Sequence, residues 1–282
     1  MKHNFGAGPC ILPQEVFQEA SRSVVDFNGL SILEVSHRHK DFVAVMDEAT
    51  DLVKKALNVP EGYSVIFLQG GASLGFLISA LNMMRETKKA SYINTGTWAK
   101  KAMTEAKKVG FEVIEAASSA DTNFNYIPKN FQIDSASDYL HFTSNNTIFG
   151  TQFKEMPKTS LPLVCDMSSD IFSREINVSD FDLIYAGAQK NMGPAGTTLY
   201  IVKDEILGKS TSDFMPTYLD LKTHAEKDSM FNTPPVFPVY ASMLNLRNLM
   251  KTGGVKGAQE RNEAKANLIY NEIDNNPLFE GT

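Results

Sequence analysis

A single lysine follows an apolar run in the segment 182–196, which reads DLIYAGAQKNMGPAG. The run 183–185 is typical of a buried strand, and small residues lead from it to Lys190. Water has little room around an ammonium group that emerges from a strand end into a space lined by glycine and alanine. Because desolvation lowers the pKa of a lysine, the neutral amine of Lys190 could attack a carbonyl carbon and form a Schiff base.

A carboxylate has a comparable position, since the apolar run 161–165 (LPLVC) leads directly to Asp166. One strand that ends in an amine and another that ends in a carboxylate provide the pair that a pyridoxal phosphate enzyme needs. The lysine would hold the aldehyde of that cofactor, and the aspartate would keep its ring nitrogen protonated. By themselves the two residues leave other roles open, because Lys190 could be a solvated loop lysine and Asp166 could cap a helix.

The composition is that of an ordinary globular protein. The 282 residues suggest one large or two medium domains, and 43% hydrophobic residues are enough for a real core. The net charge of −6 argues against nonspecific binding to nucleic acid. Cys10 and Cys165 have no metal-ligand spacing, so we expect free thiols and no metal site. No apolar segment has the length of a membrane span or the form of a signal peptide, which predicts a cytoplasmic protein without a membrane partner.

Strand-like and helix-like segments alternate along the first two-thirds of the chain. The predicted strands are 64–68, 91–93, 111–114, 139–143, 161–165, 183–185 and 198–202. The predicted helices are 42–57, one after Gly71, one that follows Gly96 and ends at Gly110, 240–250 and 257–273. This alternation predicts an α/β fold with a mostly parallel sheet covered by helices on both faces. Ligands bind beyond the carboxyl ends of the strands in such sheets, where Gly70, Asp166 and Lys190 all lie. After Gly208 the pattern changes, and residues 209–238 contain four prolines, which predicts loops or an interface segment.

Several motifs occur together and carry a family resemblance. They are NFGAGPCILP (4–13), ILEVSHRHKDF (32–42), FLQGGAS (67–73), INTGTWAKKA (93–102), SNNTIFGTQF (144–153), VCDMSSDI (164–171), YAGAQKNMGPAG (185–196) and FNTPPVFPVY (231–240). At these spacings the chain resembles, nearly end to end, the phosphoserine aminotransferase family in the class V branch of the fold-type I pyridoxal phosphate enzymes. The resemblance implies a large cofactor-binding domain (16–250) and a smaller α/β domain (1–15 plus 251–282). That small domain is C-terminally incomplete relative to the family, whose chains continue further.

The resemblance also implies a role for each site residue. Lys190 and Asp166 are the catalytic pair, and both contact the pyridoxal 5'-phosphate. The further cofactor-binding residues are the amides of Ala72 and Ser73 (phosphate), Trp98 (ring stacking), Thr147 (phenolic oxygen), Gln189 (phosphate), and Asn232 and Thr233 (phosphate of the neighbouring subunit's cofactor). The last two imply a homodimer with shared active sites. His37 and Arg38 match positions that bind the anionic groups of the substrate.

Each of these motifs also has an ordinary structural interpretation when it stands alone. Gly70 and Gly71 could form a plain strand-to-helix turn without a ligand, and Trp98 could be a half-buried core aromatic. Thr147 lies in a stretch rich in turn-forming residues. His37 and Arg38 could belong to a surface charge cluster.

The chain departs from the family pattern at three places. Ala7 stands where many family members have serine, which removes one side-chain contact to the substrate. Ser73 stands where many have arginine, so one cation for the substrate phosphate is lost. The sequence ends at Thr282, inside the domain from which family chains supply an arginine for the substrate α-carboxylate.

The activity that the resemblance implies is a transamination between L-glutamate and 3-phosphohydroxypyruvate, which gives phosphoserine and 2-oxoglutarate. This reaction belongs to serine biosynthesis, and a related phosphorylated oxo acid of vitamin B6 synthesis is a second substrate to consider. The alternatives are another class V enzyme, such as an alanine–glyoxylate-type transaminase or a cysteine desulfurase, and a truncated cofactor-binding chain with little activity. A nucleotide-binding protein ranks last, because the GxxxxGK[ST] and GxGxxG motifs are both absent from the sequence.

Overall fold

The computed structural model describes residues 3–281. In chain order its strands are β1 (Tyr63–Leu68), β2 (Lys89–Asn94), β3 (Glu112–Ser118), β4 (Tyr139–Thr143), β5 (Asn145–Asn146), β6 (Thr151–Gln152), β7 (Leu163–Asp166), β8 (Leu183–Gly187) and β9 (Thr198–Lys203). Seven of them form one sheet in the order β1-β9-β8-β7-β4-β2-β3, while β5 and β6 make a short hairpin. All neighbours in the sheet are parallel except β9, which runs antiparallel to β1 and β8. The predicted α/β fold with a mostly parallel sheet is confirmed.

Helices cover both faces of the sheet. They are α1 (Gln14–Val25), α2 (Lys40–Leu57), α3 (Gly71–Met83), α4 (Thr97–Lys108), α5 (Leu221–Ala225), α6 (Val236–Lys251) and α7 (Gly254–Asn275). α3 and α4 share one core with one face of the sheet, and α1, α2 and α6 share the second core with the opposite face. Because both faces are covered, the central strands are mostly apolar, and every residue of β4, β7 and β8 is buried. Within residues 3–281 we find no helix that combines the length and the apolar character needed to cross a bilayer.

The predicted strands are all present, with ends that differ by up to four residues. The expectation of loops for 209–238 was partly wrong, because this segment contains α5 and the first turn of α6. α6 begins at Val236 although Pro238 follows, since a proline in the first helical turn leaves no hydrogen bond unmade. α1 was not predicted. The division into a large and a small domain stays a prediction.

The strand register brings the predicted site positions to one edge of the sheet. Asp166 at the end of β7 pairs with Thr143 of β4 on one side and with Tyr185 of β8 on the other. Thr198 at the start of the reversed strand β9 pairs with both Gly187 and Leu68, the last residues of β8 and β1. The segments after β1, β7 and β8 therefore begin at the same edge of the sheet, those after β7 and β8 side by side.

Candidate active site

Lys190 lies in a tight turn that follows β8. The amide of Ala188 donates to the carbonyl of Thr197 at 3.0 Å, and the amide of Met192 donates to the carbonyl of Ala188 at 3.2 Å. The turn also packs closely on α6, because a Cβ atom placed on Gly193 would lie 3.0 Å from the Cα atom of Ser242. These contacts hold the half-buried Lys190 with its Nζ donating a hydrogen bond to Thr147 Oγ1 at 2.5 Å.

Asp166 and Lys190 lie close enough for the charge of each to influence the pKa of the other. Burial raises the pKa of Asp166, which is 3% exposed, to about 6. Hydrogen bonds from Ser168, whose amide lies 2.9 Å from Oδ1, and the charge of Lys190 oppose that rise. Burial lowers the pKa of Lys190, and the charge of Asp166 opposes this change. A buried carboxylate and a partly desolvated amine therefore lie together, as the strand-end argument predicted.

The hydroxyl that accepts from Lys190 belongs to the hairpin loop between β5 and β6. The side chain of Asn146 fixes this loop, since its Nδ2 donates to Thr151 Oγ1 at 3.1 Å. Its Oδ1 accepts from Thr95 Oγ1 at 2.9 Å, which ties the loop to the end of β2. Thr147 is half-buried at the tip of this arrangement.

Trp98 lies in the first turn of α4, directly after the loop that Thr95 begins. The indole is half-buried, and its Nε1 is buried without a hydrogen-bond partner among the described residues. The ammonium group of Lys101 lies 4.7 Å from the ring centroid, a cation–π contact.

The N-terminus of α3 follows β1 through two glycines with positive φ, Gly70 at 101° and Gly71 at 63°. Among residues 3–281 no side chain caps this helix, so the amides of its first turn, including those of Ala72 and Ser73, lack helical partners. Such amides and the helix dipole attract anions. Ala72 is half-buried and Ser73 is exposed, so the first turn is accessible to a ligand.

Residues 232–233 of the same chain lie beside the end of β1. The Nε2 atom of Gln69 donates to the carbonyl of Thr233 at 2.8 Å, and Tyr218 donates to Gln69 Oε1 at 2.5 Å. Asn232 is half-buried, with its Nδ2 3.4 Å from the carbonyl of Thr233. This segment is therefore anchored next to the strand that leads into the glycine turn.

The N-terminal segment passes directly against Lys190, a contact that the sequence did not predict. The amide of Cys10 donates to the carbonyl of Gln189 at 2.9 Å. A Cβ atom on Gly8 would lie 3.1 Å from Cε and 3.3 Å from Cγ of Lys190. The small residues in the run GAGP (6–9) were the only available signal.

Comparisons with known proteins decide the family. The sequence model described as Aminotransferase class-V matches residues 2–281. The chain belongs to the class V aminotransferase family. It is 59% identical over 284 residues to the phosphoserine aminotransferase of Flavobacterium psychrophilum, which covers 100% of this chain and 79% of that protein. It is 56% identical over 283 residues to the phosphoserine aminotransferase of Bacteroides fragilis, with coverage of 100% and 79%.

Solved structures agree with this assignment. The phosphoserine aminotransferase from Bacillus circulans subsp. alkalophilus superposes with a TM-score of 0.92 at 44% identity, covering 96% of this chain and 76% of that one. The phosphoserine aminotransferase from Trichomonas vaginalis, solved with pyridoxal phosphate bound, gives 0.93 at 33% identity, covering 98% and 83%. The fold is therefore that of the fold-type I aminotransferases.

Two of the predicted residues of this class V aminotransferase have no described contact with Lys190 or Asp166. His37 is 7% exposed, and its buried Nε2 has no partner among residues 3–281. Burial and the adjacent charge of Arg38 lower the pKa of His37. Arg38 itself is exposed. Their role in substrate binding stays a prediction.

Gln189 is the last predicted site residue, and its side chain folds back over the end of β8. A Cβ atom on Gly187 would lie 2.5 Å from Oε1 of Gln189, so any larger residue there would displace this side chain. Gln189 is half-buried in this arrangement.

Proposed function

We propose that this chain is a pyridoxal phosphate-dependent transaminase that transfers the amino group of L-glutamate to 3-phosphohydroxypyruvate, giving phosphoserine and 2-oxoglutarate. The observation that carries the proposal is that the partly desolvated amine of Lys190 and the buried carboxylate of Asp166 lie at or beyond the ends of the adjacent strands β8 and β7, close enough for each charge to shift the pKa of the other group. The names of the relatives support the substrate, since proteins 52–59% identical over nearly the whole chain are phosphoserine aminotransferases.

The residues at this edge of the sheet match the chemical parts of pyridoxal phosphate. Lys190 provides the amine for the aldehyde, and Asp166 provides an anion for the ring nitrogen. The half-buried indole of Trp98 suits stacking on the aromatic ring, and its buried Nε1 has no partner among the described residues. The uncapped amides at Ala72 and Ser73 suit the phosphate.

When bound, the cofactor supplies an electron-accepting ring that stabilises negative charge at the substrate Cα. Asp166 would hold a proton on the ring nitrogen, and the positive charge there would in turn keep this buried carboxylate ionised. Lys190 would hold the aldehyde carbon of the cofactor, and its free amine would remove the proton from the substrate Cα as a general base. Partial burial increases the neutral fraction of its amine. The hydroxyl of Thr147 orients that amine through the hydrogen bond at 2.5 Å.

Gln189 and the segment that contains Asn232 and Thr233 complete the phosphate contacts. We propose that the second pair acts on the cofactor of a neighbouring subunit, so that the enzyme is a homodimer. Exposed apolar side chains such as Phe5, Ile11 and Leu33 support a subunit interface.

The substrate's anionic groups are assigned to His37 and Arg38. The exposed guanidinium of Arg38 is available for a carboxylate or phosphate, and Nε2 of His37 has no other described partner. Ala7 and Ser73 offer no charge to the substrate, so the positive charges that bind it must come from Arg38 and from other residues.

We also propose a cytoplasmic location, because Cys10 and Cys165 are free thiols, which suits a reducing compartment.

The absorption spectrum of the purified protein with added cofactor tests the lysine assignment. We expect a visible band that Lys190→Ala abolishes, whereas a band that persists unchanged in this variant contradicts the assignment.

Initial rates with glutamate and 3-phosphohydroxypyruvate test the reaction, for which parallel double-reciprocal plots are expected. Intersecting plots contradict a scheme with two half-reactions in one site.

Oxo-acid specificity separates the alternatives. A phosphoserine aminotransferase prefers phosphorylated oxo acids, whereas higher rates with glyoxylate or pyruvate favour another class V transaminase. The same assay includes the related phosphorylated oxo acid of vitamin B6 synthesis, and an absence of all turnover with bound cofactor favours the inactive alternative. A cysteine desulfurase is disfavoured, because Cys165 is 0% exposed and burial raises the pKa of its thiol.

A further inference from the structure

A second buried carboxylate, that of Asp170, follows Asp166 in the chain. Asp170 is 5% exposed, and its Oδ2 lies 3.1 Å from the Nη2 atom of Arg174, whose side chain is 15% exposed. An ion pair in such a place does not in general stabilise a fold more than apolar residues of similar volume do, because both charges lose their hydration. The pair therefore calls for an explanation other than fold stability.

Ser144 connects this ion pair to the strand that carries Asp166. The side chain of Ser144 is fully buried at the end of β4, and its hydroxyl lies within hydrogen-bond distance of the Asp170 carboxylate and of the Asp166 carbonyl, the latter at 3.1 Å. A hydroxyl has one proton, which goes to the stronger acceptor, the carboxylate of Asp170. The amide of Ser144 donates to the same Asp166 carbonyl at 3.1 Å. Asp170 thus orients a residue that holds the backbone of Asp166.

Asp170 is in turn fixed from two further sides. Gln152 Nε2 donates to Oδ2 of Asp170 at 3.3 Å, in addition to the contact from Arg174. Arg174 supplies the charge that compensates this buried carboxylate, whose pKa burial raises. These partners hold Asp170 in place four residues after Asp166, the carboxylate that we propose contacts the cofactor ring.

We propose that Asp170 is a positioning residue for Asp166: paired with Arg174 and bonded to Ser144, it fixes the end of β7 so that the Asp166 carboxylate meets the ring nitrogen of the cofactor. The inference rests on the proposed function, since the ring nitrogen belongs to pyridoxal phosphate. Asp170 has no described contact with Lys190 and takes no part in proton transfer. Its effect is on the geometry and the electrostatic environment of one carboxylate.

The test compares Asp170→Asn and Ser144→Ala with the wild-type protein prepared without cofactor. Because Trp98 is the only tryptophan, quenching of its fluorescence measures the dissociation constant for pyridoxal phosphate. The ¹⁵N chemical shift of cofactor labelled at its ring nitrogen measures the protonation of that atom. We expect both variants to weaken binding about tenfold and to move the shift toward the value of an unprotonated pyridine. Ser144→Ala keeps the ion pair intact and decides the question if Asp170→Asn does not fold.

Asp182→Asn is the matched control. Asp182 is a partly buried aspartate that acts on the other end of the same strand: its Oδ2 accepts from the amide of Leu163 at 2.8 Å, and its Oδ1 lies 3.5 Å from Lys203 Nζ. We expect this variant to lower the thermal midpoint without a change in cofactor affinity or in the ¹⁵N shift.

The proposal is wrong if Asp170→Asn and Ser144→Ala behave like Asp182→Asn, with lower thermal stability, binding within twofold of the wild type and an unchanged ¹⁵N shift. Failure of the proposed function has a different signature. In that case the wild-type chain does not bind the cofactor, or Lys190→Ala leaves the visible band unchanged, and the positioning role is then overturned as well. A Lys190→Ala result as expected, together with unaffected Asp170→Asn and Ser144→Ala variants, refutes the positioning role alone.

Discussion

Without its cofactor, the protein is destabilised by the buried carboxylate of Asp166, and Asp166→Asn should remove this penalty. Burial raises the pKa of Asp166 from 3.8 to about 6, so the folded chain holds this proton more tightly than the unfolded chain does. At a pH above both of these pKa values Asp166 is ionised in both states, and its ionisation costs more free energy in the folded state than in the unfolded state. The shift of roughly two units then corresponds to about 3 kcal/mol of lost stability at pH 7.

The sign determines the pH dependence. Between pH 3.8 and about 6 the folded state binds more protons at this site than the unfolded state, so stability falls as the pH rises through that window. Asparagine has no charge to desolvate, although it weakens the hydrogen bonds from Ser168, at a cost of about 1 kcal/mol. We therefore expect Asp166→Asn to be more stable than the wild type by about 2 kcal/mol at pH 7.5 and to lose that advantage at pH 4.

Urea unfolding of both proteins without cofactor, at pH 7.5 and pH 4, measures the difference. The same titration with saturating pyridoxal phosphate is the control, because the positive ring compensates the carboxylate and should make the wild type the more stable protein. A cofactor-free variant that is less stable than the wild type at pH 7.5, or a difference that does not shrink on acidification, refutes this reasoning.

Two further predictions concern glycines at close contacts. Gly8→Ala places a methyl group 3.1 Å from Cε of Lys190, and we expect kcat to fall about tenfold because the lysine loses room to move; Gly281→Ala, whose methyl group meets only Ile273 at 3.8 Å, is the control, and equal rates for both variants contradict the argument. Gly193→Ala forces a methyl group to within 3.0 Å of the Ser242 backbone, and urea unfolding should show a loss of about 1–3 kcal/mol. An unchanged unfolding midpoint shows that α6 moves away without cost.

Much of the fold follows from the sequence, because the central strands are covered on both faces. Runs such as 161–165 and 183–185 are largely apolar and are followed by small or polar residues, which locates the strands and the edge where they end. The encounter of Asp166 with Lys190 was predicted by the same logic. Their partner Thr147, and the family roles of Gln189 and Arg38, came only from the resemblance.

The features that were missed depend on contacts between distant segments. The stretch 4–10 has no periodicity, and its position against Lys190 depends on a hydrogen bond to Gln189 that no local pattern indicates. α1 was overlooked although its apolar residues follow a helical period. Asp170 reads in the sequence as part of a polar turn, and its burial becomes evident only when the end of β4 brings Ser144 to it.

The reversed direction of β9 has a consequence for the catalytic lysine. Because β8 and β9 are adjacent and antiparallel, the segment that contains Lys190 is closed at its base by the pairing of Gly187 with Thr198, deep in the sheet. Opening that segment requires breaking a ladder between two of the most buried strands. The amide protons of this ladder should therefore exchange with solvent only on global unfolding, unlike those at the base of a mobile catalytic lid, so that substrate access depends on other parts of the chain.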